Sequence, residues 1–322
     1  MKLAISIDVE EEGLFSGKYP RTPPGVSNVA NLARLEFIPR EFGFPLTLLV
    51  TYQMARDPAA RKVLEYWRDH YGTEIGAHLH PWNTPPFPDL AGPEPVRSEK
   101  IPRQALKEKL VNLVGAIQEN LGVTPRSFRM GRFDWGPRLL SLLPEMGFQV
   151  DSSMVPLTQK VGGPDYFLAP NDPFRLPVPG AAGGTLLEVP LTMVPVIAGA
   201  PRLIYRVTGA LPGDWGIRLR SRFPYLLAAG IHPVWFPLPS MRLAARLHRR
   251  RGGRVLNLFL HSSELAAGGT PQFPNEAAVA RLVAKIRAFL AWLKATGPVE
   301  GITLAELSRS AGKAGRAGEG LV

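Results

Sequence analysis

The chain reads as an α/β protein built on a parallel sheet, either open or closed into a (β/α) barrel. Two observations carry this. Short apolar runs of strand length alternate with stretches of helical periodicity along most of the 322 residues. The residues with useful chemistry fall where those strands end: Asp8 and Glu10, His78 and His80, Arg129, Asp151 and His261. In a (β/α) barrel the C-terminal strand ends form the active-site face.

Lys2 to Val9 is the first strand, and it runs into Asp8-Val-Glu10-Glu-Glu12. A loop with Pro20, Pro23, Pro24 and Gly25 follows, then Asn28 to Phe42, which can form a helix. Pro45 to Thr51 is the second strand. Asp57 and Pro58 start a helix, a capping carboxylate followed by proline at the first helical position, and Gly72 stops it after Tyr71. Glu74 to His80 is the third strand. Leu106, Leu110, Leu113, Ile117 and Leu121 recur at helical spacing until Gly122 closes the helix. Ser127 to Gly131 is a short strand, Pro137 to Met146 a helix kinked by Pro144, and Phe148 to Asp151 a further strand. Residues 160–200 are rich in Gly and Pro, with β-like runs such as Thr185 to Val189. Val255 to His261 is a strand. Asn275 caps a long helix with Val279, Leu282, Ile286, Phe289, Leu290 and Leu293 on one face. Gly301 to Leu307 is expected to add a last strand and turn. These elements make one domain over residues 1–310, with a basic insertion at about 200–254 and a flexible tail over 311–322.

There is no cysteine, so a transition metal must be held by His, Asp or Glu. The first apolar run is too short for a signal-peptide core, and nowhere do about 18 apolar residues run uninterrupted. The expectation is a soluble, cytoplasmic protein, at most peripheral to a membrane. The net charge of +11 is unevenly placed. Between Pro201 and Arg254, Arg202, Arg206, Arg218, Arg220, Arg222, Arg242, Arg246, Arg249, Arg250, Arg251 and Arg254 are set against one acid, Asp214. Such a segment suits an anionic membrane surface or an anionic or lipid-linked glycan, with nucleic acid the least expected partner. Otherwise it is a solvated basic face.

Two of the six histidines stand in Glu74-Ile-Gly-Ala-His-Leu-His-Pro-Trp82. Residues i and i+2 of a strand share a side, so His78 and His80 project two imidazoles from one edge. Asp8 and Glu10 repeat that spacing. One of these carboxylates can join the histidines on a metal while the other stays off it as a general base. A three-ligand site leaves a position for water, whose pKa falls to about 7 on zinc. Glu11 and Glu12 read as solvated. Arg129 can orient a carboxylate through charge-assisted hydrogen bonds. Arg132 lies beside it, as a substrate contact or a surface charge. His261, followed by Ser262-Ser-Glu264, can protonate a leaving amine, with Asp151 as the carboxylate that holds its ring. Ser262 and Ser263 lack the surroundings of a nucleophile elbow. Trp82 and Phe87 flank the histidines as an apolar platform for a sugar ring or as loop packing. His70 and His248 read as surface residues, and His232 is open.

These residues resemble the polysaccharide deacetylases, the NodB-homology domains of carbohydrate esterase family four, and within them the WalW-like branch. The resemblance rests on Ser6-Ile-Asp-Val-Glu10, Glu74 to Trp82, Ser127-Phe-Arg-Met-Gly-Arg132, Val150-Asp-Ser-Ser153 and Phe259-Leu-His-Ser-Ser-Glu-Leu265, in the family's order over residues 1–308. It implies a deformed (β/α) barrel of about seven strands. It implies a divalent metal, usually Zn2+, with Co2+, Mn2+, Ni2+ or Fe2+ as alternatives. The implied reaction is removal of N-acetyl or O-acetyl groups from a sugar or polysaccharide. By this likeness Asp8 is the base, Arg129 its partner, and His261 the acid tuned by Asp151. Glu10, His78 and His80 are the metal ligands. Apart from the likeness, Trp82, Phe87, Arg132 and Glu264 are the residues expected to contact the N-acetylated carbohydrate. The sequence departs from the family in three places. Val9 stands where a second adjacent aspartate is usual, Trp82 where the second histidine of His-x-x-x-His would fall, and Gly131 and Phe133 where Pro and Tyr are expected. Two other readings are a different amide or cyclic-amide hydrolase on the same fold, and a non-catalytic glycan- or membrane-binding member of a polysaccharide-synthesis system.

Overall fold

A computed structural model describes residues 1–22, 25–89, 97–180 and 184–314. Pro23 and Pro24 of the expected loop and residues 315–322 of the expected tail lie outside these residues, while 311–314 continue the last helix.

The chain opens with β1 (Lys2–Val9) and β2 (Thr47–Val50), then α1 (Tyr52–Arg56), α2 (Pro58–Tyr71) and β3 (Glu74–Leu79). Next come α3 (Arg103–Leu121), β4 (Ser127–Met130), α4 (Pro137–Glu145) and β5 (Val150–Asp151). A hairpin of β6 (Phe174–Pro177) and β7 (Thr185–Glu188) leads to β8 (Met193–Pro195). The basic segment supplies α5 (Ala200–Gly209), α6 (Trp215–Arg220), α7 (Phe223–Leu227), β9 (Ala228–Gly230) and α8 (Leu238–Arg250). The chain returns through β10 (Val255–His261), α9 (Glu276–Ala295), β11 (Glu300–Gly301) and α10 (Leu304–Ala314).

The main sheet runs β10-β1-β2-β3-β4-β5-β7-β6, parallel from β10 to β7 and antiparallel at β6. It curls into a deformed barrel whose gap lies between β10 and the residues after β7. Asn257 bridges that gap. Its amide N–H donates to Thr192 Oγ1 at 2.8 Å, and its Nδ2 donates to Ser152 Oγ at 3.0 Å and to the Val189 carbonyl at 3.1 Å. The N-terminal mouth is plugged by Ile302, Leu304 and Leu307, which pack with Ala4, Leu49, Val150 and Leu187.

Local chemistry explains the surrounding helices. Asp57 Oδ1 accepts from the Ala59 and Ala60 amides and so caps α2, and Gly72 ends that helix in the left-handed region. Asn275 caps α9, whose expected apolar face is buried throughout. Three expectations need correction. Asn28 to Phe42 is not an α-helix but a 3-10 stretch (Ser27–Leu35) and a π-turn (Ile38–Phe42) that Gly43 closes. Beyond Gly301 the chain is helical, because Glu306 accepts from the Thr303 amide and hydroxyl and so caps α10. His248 is buried, since α8 turns its ring onto Asp172 at 3.2 Å.

Candidate active site

Strand register assembles the site at the C-terminal ends of the strands. Asp8 stands beside His261 across β1 and β10, and His78 beside Arg129 across β3 and β4. The inward set on β1 is Ala4, Ser6 and Asp8, and Arg129 reaches across the barrel to join it. Arg129 Nη1 donates to Asp8 Oδ1 at 2.6 Å, Nη2 to Ser6 Oγ at 2.8 Å and Nε to the Ser152 carbonyl at 2.7 Å. The guanidinium is fully buried with its donors engaged, so it fixes the Asp8 carboxylate in one orientation. The other Asp8 oxygen lies 3.6 Å from His78 Nε2.

Glu10, His78 and His80 converge. Glu10 Oε2 lies 3.6 Å from His78 Nε2 and 3.4 Å from His80 Nε2. His78 Nδ1 is 3.1 Å from the Arg129 carbonyl, which only accepts, so that nitrogen carries the hydrogen and Nε2 keeps its lone pair. His80 Nδ1 is set in the same way, 2.6 Å from Glu11 Oε1. Bonds of about 2.1 Å from a tetrahedral zinc place neighbouring ligand atoms about 3.4 Å apart. The observed separations match this. Glu10 Oε1 is buried with no hydrogen-bond partner among the described residues, as a ligand oxygen awaiting a cation would be. The N,N,O donor set suits zinc and its first-row neighbours. Burial alone would raise the Glu10 pKa, but His261, His78 and His80 outweigh it and hold the carboxyl well below its usual range. For His80, burial is overcome by the Glu11 and Glu10 carboxylates, and its pKa is pushed up to about 10.

Glu11 is therefore not solvated. It is 1% exposed, accepts from Thr51 Oγ1 at 2.9 Å, and is also held by the Asn83 amide. Trp82 is no open platform either: it is buried and stacks on His80 with ring centroids 4.2 Å apart. Phe87 stays partly exposed, between Arg21 and Lys109. Arg132 is exposed over the Tyr19 ring, with a left-handed φ of 58°. Gly131 before it lets the backbone pass close to His80, for a Cβ there would stand 2.6 Å from His80 Cδ2 and 2.7 Å from the Leu79 carbonyl oxygen.

The carboxylate that holds His261 is Glu264, not Asp151. Glu264 Oε1 lies 3.0 Å from His261 Nδ1, and Oε2 accepts the His261 amide at 2.8 Å. Burial would lower the His261 pKa, but Glu10 and Glu264 raise it to about 9. Asp151 misses because of strand alternation. Its neighbour Val150 takes the inward position, packed with Ala4 and Leu49. Asp151 pairs in register with Phe128, which packs outward on Phe148. There it lies beside Glu188 of β7, also fully buried. Burial raises both carboxyl pKa values, Asp151 to about 6, and the Asp151 charge adds to the rise at Glu188.

His232 joins His261 from the loop after β9. A ring nitrogen or carboxylate oxygen from each of His232, His261 and Glu264 lies within 4.8 Å of the others. His232 Nδ1 accepts the Val234 and Trp235 amides at 3.2 and 3.0 Å, so its hydrogen sits on Nε2. Burial and the charges of His261, Arg129 and Lys285 push its pKa well down, so the ring is neutral. Ser262 donates to the Glu10 carbonyl and accepts from Asn28, which occupies its hydroxyl structurally.

Neither protein-family models nor curated protein sequences match the chain. Solved structures do. A protein of Mycobacterium smegmatis assigned as a polysaccharide deacetylase superposes with a TM-score of 0.60 at 18% identity, covering 100% of this chain and 93% of its own. One of Parabacteroides distasonis, assigned as a glycoside hydrolase/deacetylase, gives 0.62 at 13% identity over 96% and 70%. A Pseudomonas aeruginosa protein assigned as a polysaccharide deacetylase gives 0.58 at 15% identity over 96% and 89%. The fold is that of these structures, the deformed barrel expected from the sequence.

Proposed function

We propose that the chain is a metal-dependent hydrolase that removes acetyl groups from an acetylated carbohydrate, with N-acetyl sugars as the leading substrate. One observation carries this reading. An oriented carboxylate (Asp8), a three-ligand cluster (Glu10, His78, His80) and a backed histidine (His261) share one barrel mouth. The likeness to deacetylase-fold structures supports it.

Zinc held by Glu10, His78 and His80 would acidify a water and polarise the acyl carbonyl. Asp8 takes a proton from the attacking water through Oδ2, the oxygen that Arg129 leaves free. Glu264 fixes His261 with its proton on Nδ1, and Nε2 delivers a second proton to the departing nitrogen or oxygen. A His261 pKa near 9 keeps that proton available at neutral pH. Asp8→Asn should fold and bind zinc like the parent chain but lose turnover by about 10²–10⁴-fold. The measurement is acetate release from N-acetylated oligosaccharides, with and without chelator. Full activity in stripped protein, or release of no acetate from any acetylated sugar, sinks the proposal. The second outcome leaves another cyclic-amide substrate or a non-catalytic role.

We also read the arginine-rich helices as a face for anionic membrane. Leu203, Val207, Trp215, Leu219, Tyr225 and Leu226 are exposed there among Arg202, Arg206, Arg218 and Arg222. Apolar side chains ringed by cations suit a surface of anionic headgroups.

A further inference from the structure

A cleft of about 600 Å³ opens beside the catalytic cluster. Its inner wall is shared with the site. Phe133 packs edge-on against Phe259, 5.3 Å away, and Trp235 stacks on His232 at 4.1 Å. Arg132, Lys160 and Arg222 also line the cleft, with the highly exposed Tyr225. Among the described residues none of these three cations has a carboxylate partner, while Arg97 of the same cleft is paired with Asp134 at 3.0 Å. Lys160 feels the crowding: burial, then Arg132, push its pKa down, Asp134 opposes them, and Arg97 adds to the fall. Asp134 is the one carboxylate among the described residues of this lining, and Arg97 and the Ser98 amide already engage it; the remaining like charges repel one another, and an anion entering the cleft relieves that repulsion.

We infer that this cleft receives a phosphate group joined to the acetylated sugar, so that the substrate is a sugar phosphate ester rather than a neutral glycan. The inference rests on the deacetylase reading for the sugar and on the cleft alone for the phosphate. Phe133 and Trp235 offer apolar faces for the ring beside His232 and Phe259, and the three cations line the same cleft. The phosphate ester can be a soluble sugar phosphate, which is a monoester, or a lipid-linked diester. Tyr225 is 87% exposed, and it continues the cleft rim onto the apolar helix face, where a lipid tail could lie.

The test measures binding by calorimetry to the full chain carrying Asp8→Asn, which prevents turnover. The probes are an N-acetylhexosamine 1-phosphate, the matching neutral methyl glycoside, and a short-chain prenyl diester of the same sugar phosphate. The phosphate should bind at least about tenfold tighter than the glycoside, and Lys160→Gln with Arg222→Gln should erase that preference. Both side chains reach solvent, although neighbours crowd Lys160, and a melting curve matching the parent's shows that the double variant folds. Equal binding of phosphate and glycoside, or a preference that survives the double substitution, overturns the inference. Tighter binding of the prenyl diester supports it with a lipid-linked source, and equal binding of the two phosphates supports it with a soluble one. A phosphate preference without acetate release by the parent chain keeps the cleft and removes the deacetylase reading. Acetate release without a phosphate preference does the reverse.

Discussion

Glu11→Gln isolates what a buried carboxylate contributes behind a histidine of the proposed metal cluster. Glu11 Oε1 takes the His80 Nδ1 hydrogen at 2.6 Å, and Oε2 takes the Thr51 hydroxyl at 2.9 Å. Glutamine keeps the shape: its carbonyl can still accept from His80, and Thr51 can turn its hydroxyl to accept from the new amide. Only the charge is lost. A hydrogen bond to a charged group contributes about 1.5–3 kcal/mol net, and a neutral one about 0.5–1.5. The difference is roughly 1–1.5 kcal/mol, so zinc affinity should fall about tenfold, at the low end for residues behind metal ligands. The assay is competition for zinc against a chromogenic chelator, with His80→Ala as the variant that loses the ligand. Glu11 also raises the proton affinity of His80, and that proton competes with metal. The titration is therefore run near pH 7 and again near pH 9, where proton competition shrinks and the loss should be largest. A Glu11→Gln chain that is folded by its melting curve and binds zinc like the parent at the higher pH would refute this account of the site.

Three other outcomes follow from the same geometry. Gly131→Ala forces a Cβ to within 2.7 Å of the Leu79 carbonyl oxygen, so urea melts should show a loss of about 1–3 kcal/mol, and weakened zinc binding should accompany it because His80 must move. Glu188→Gln tests the buried carboxyl pair. Asp151 titrates near 3.8 unfolded but is raised to about 6 in the fold, so the folded state binds more protons and the pair's contribution to stability falls as pH rises between those values. The variant should thus be more stable than the parent at pH 8, by about 1–3 kcal/mol, with the gain shrinking at pH 4; an equal difference at both pH values refutes it. Finally, the chain should co-sediment with anionic vesicles at low salt and be released as salt rises, each arginine near the surface adding about 1 kcal/mol, and Leu203→Asp with Tyr225→Asp should weaken the binding; no binding at low salt removes the membrane reading.

The parts of the molecule legible in the sequence are those governed by strand periodicity. Asp8, His78, Arg129 and His261 could be read because each ends an apolar run and the C-terminal ends of parallel strands share a face. The misreadings arise where that rule lapses or was applied to the wrong phase. Asp151 ends a strand of two residues, too short to reveal which of Val150 and Asp151 points inward. Glu188 ends β7 by the same rule, but it lies in a Gly- and Pro-rich stretch that hides the hairpin feeding that strand. Glu11 stands two residues past the end of β1, where the chain leaves the pleat and an odd position can turn inward beside Glu10. His232 comes from a loop without periodicity, and only burial and its paired amides reveal it. Glu264 was legible as a residue near the site, but its place behind His261 depends on the turn that brings position i+3 back onto the strand end.

The His-x-His spacing follows from the same alternation. With i and i+2 on one side, both imidazoles reach Glu10 Oε2 from neighbouring inward positions. A second ligand at position 82 would instead come from the turn beyond the strand. Trp82 occupies that place and lies flat on His80, closing the site from outside, while Glu11 fixes the far edge of the same ring. His80 is thereby clamped on one face and at one nitrogen, and only Nε2 is left pointing at the carboxylate. His78 has the Arg129 carbonyl as its support, on the very strand that also aims Asp8. One strand, β4, thus supports both His78 of the proposed ligand set and Asp8, so a shift in its register would disturb both at once.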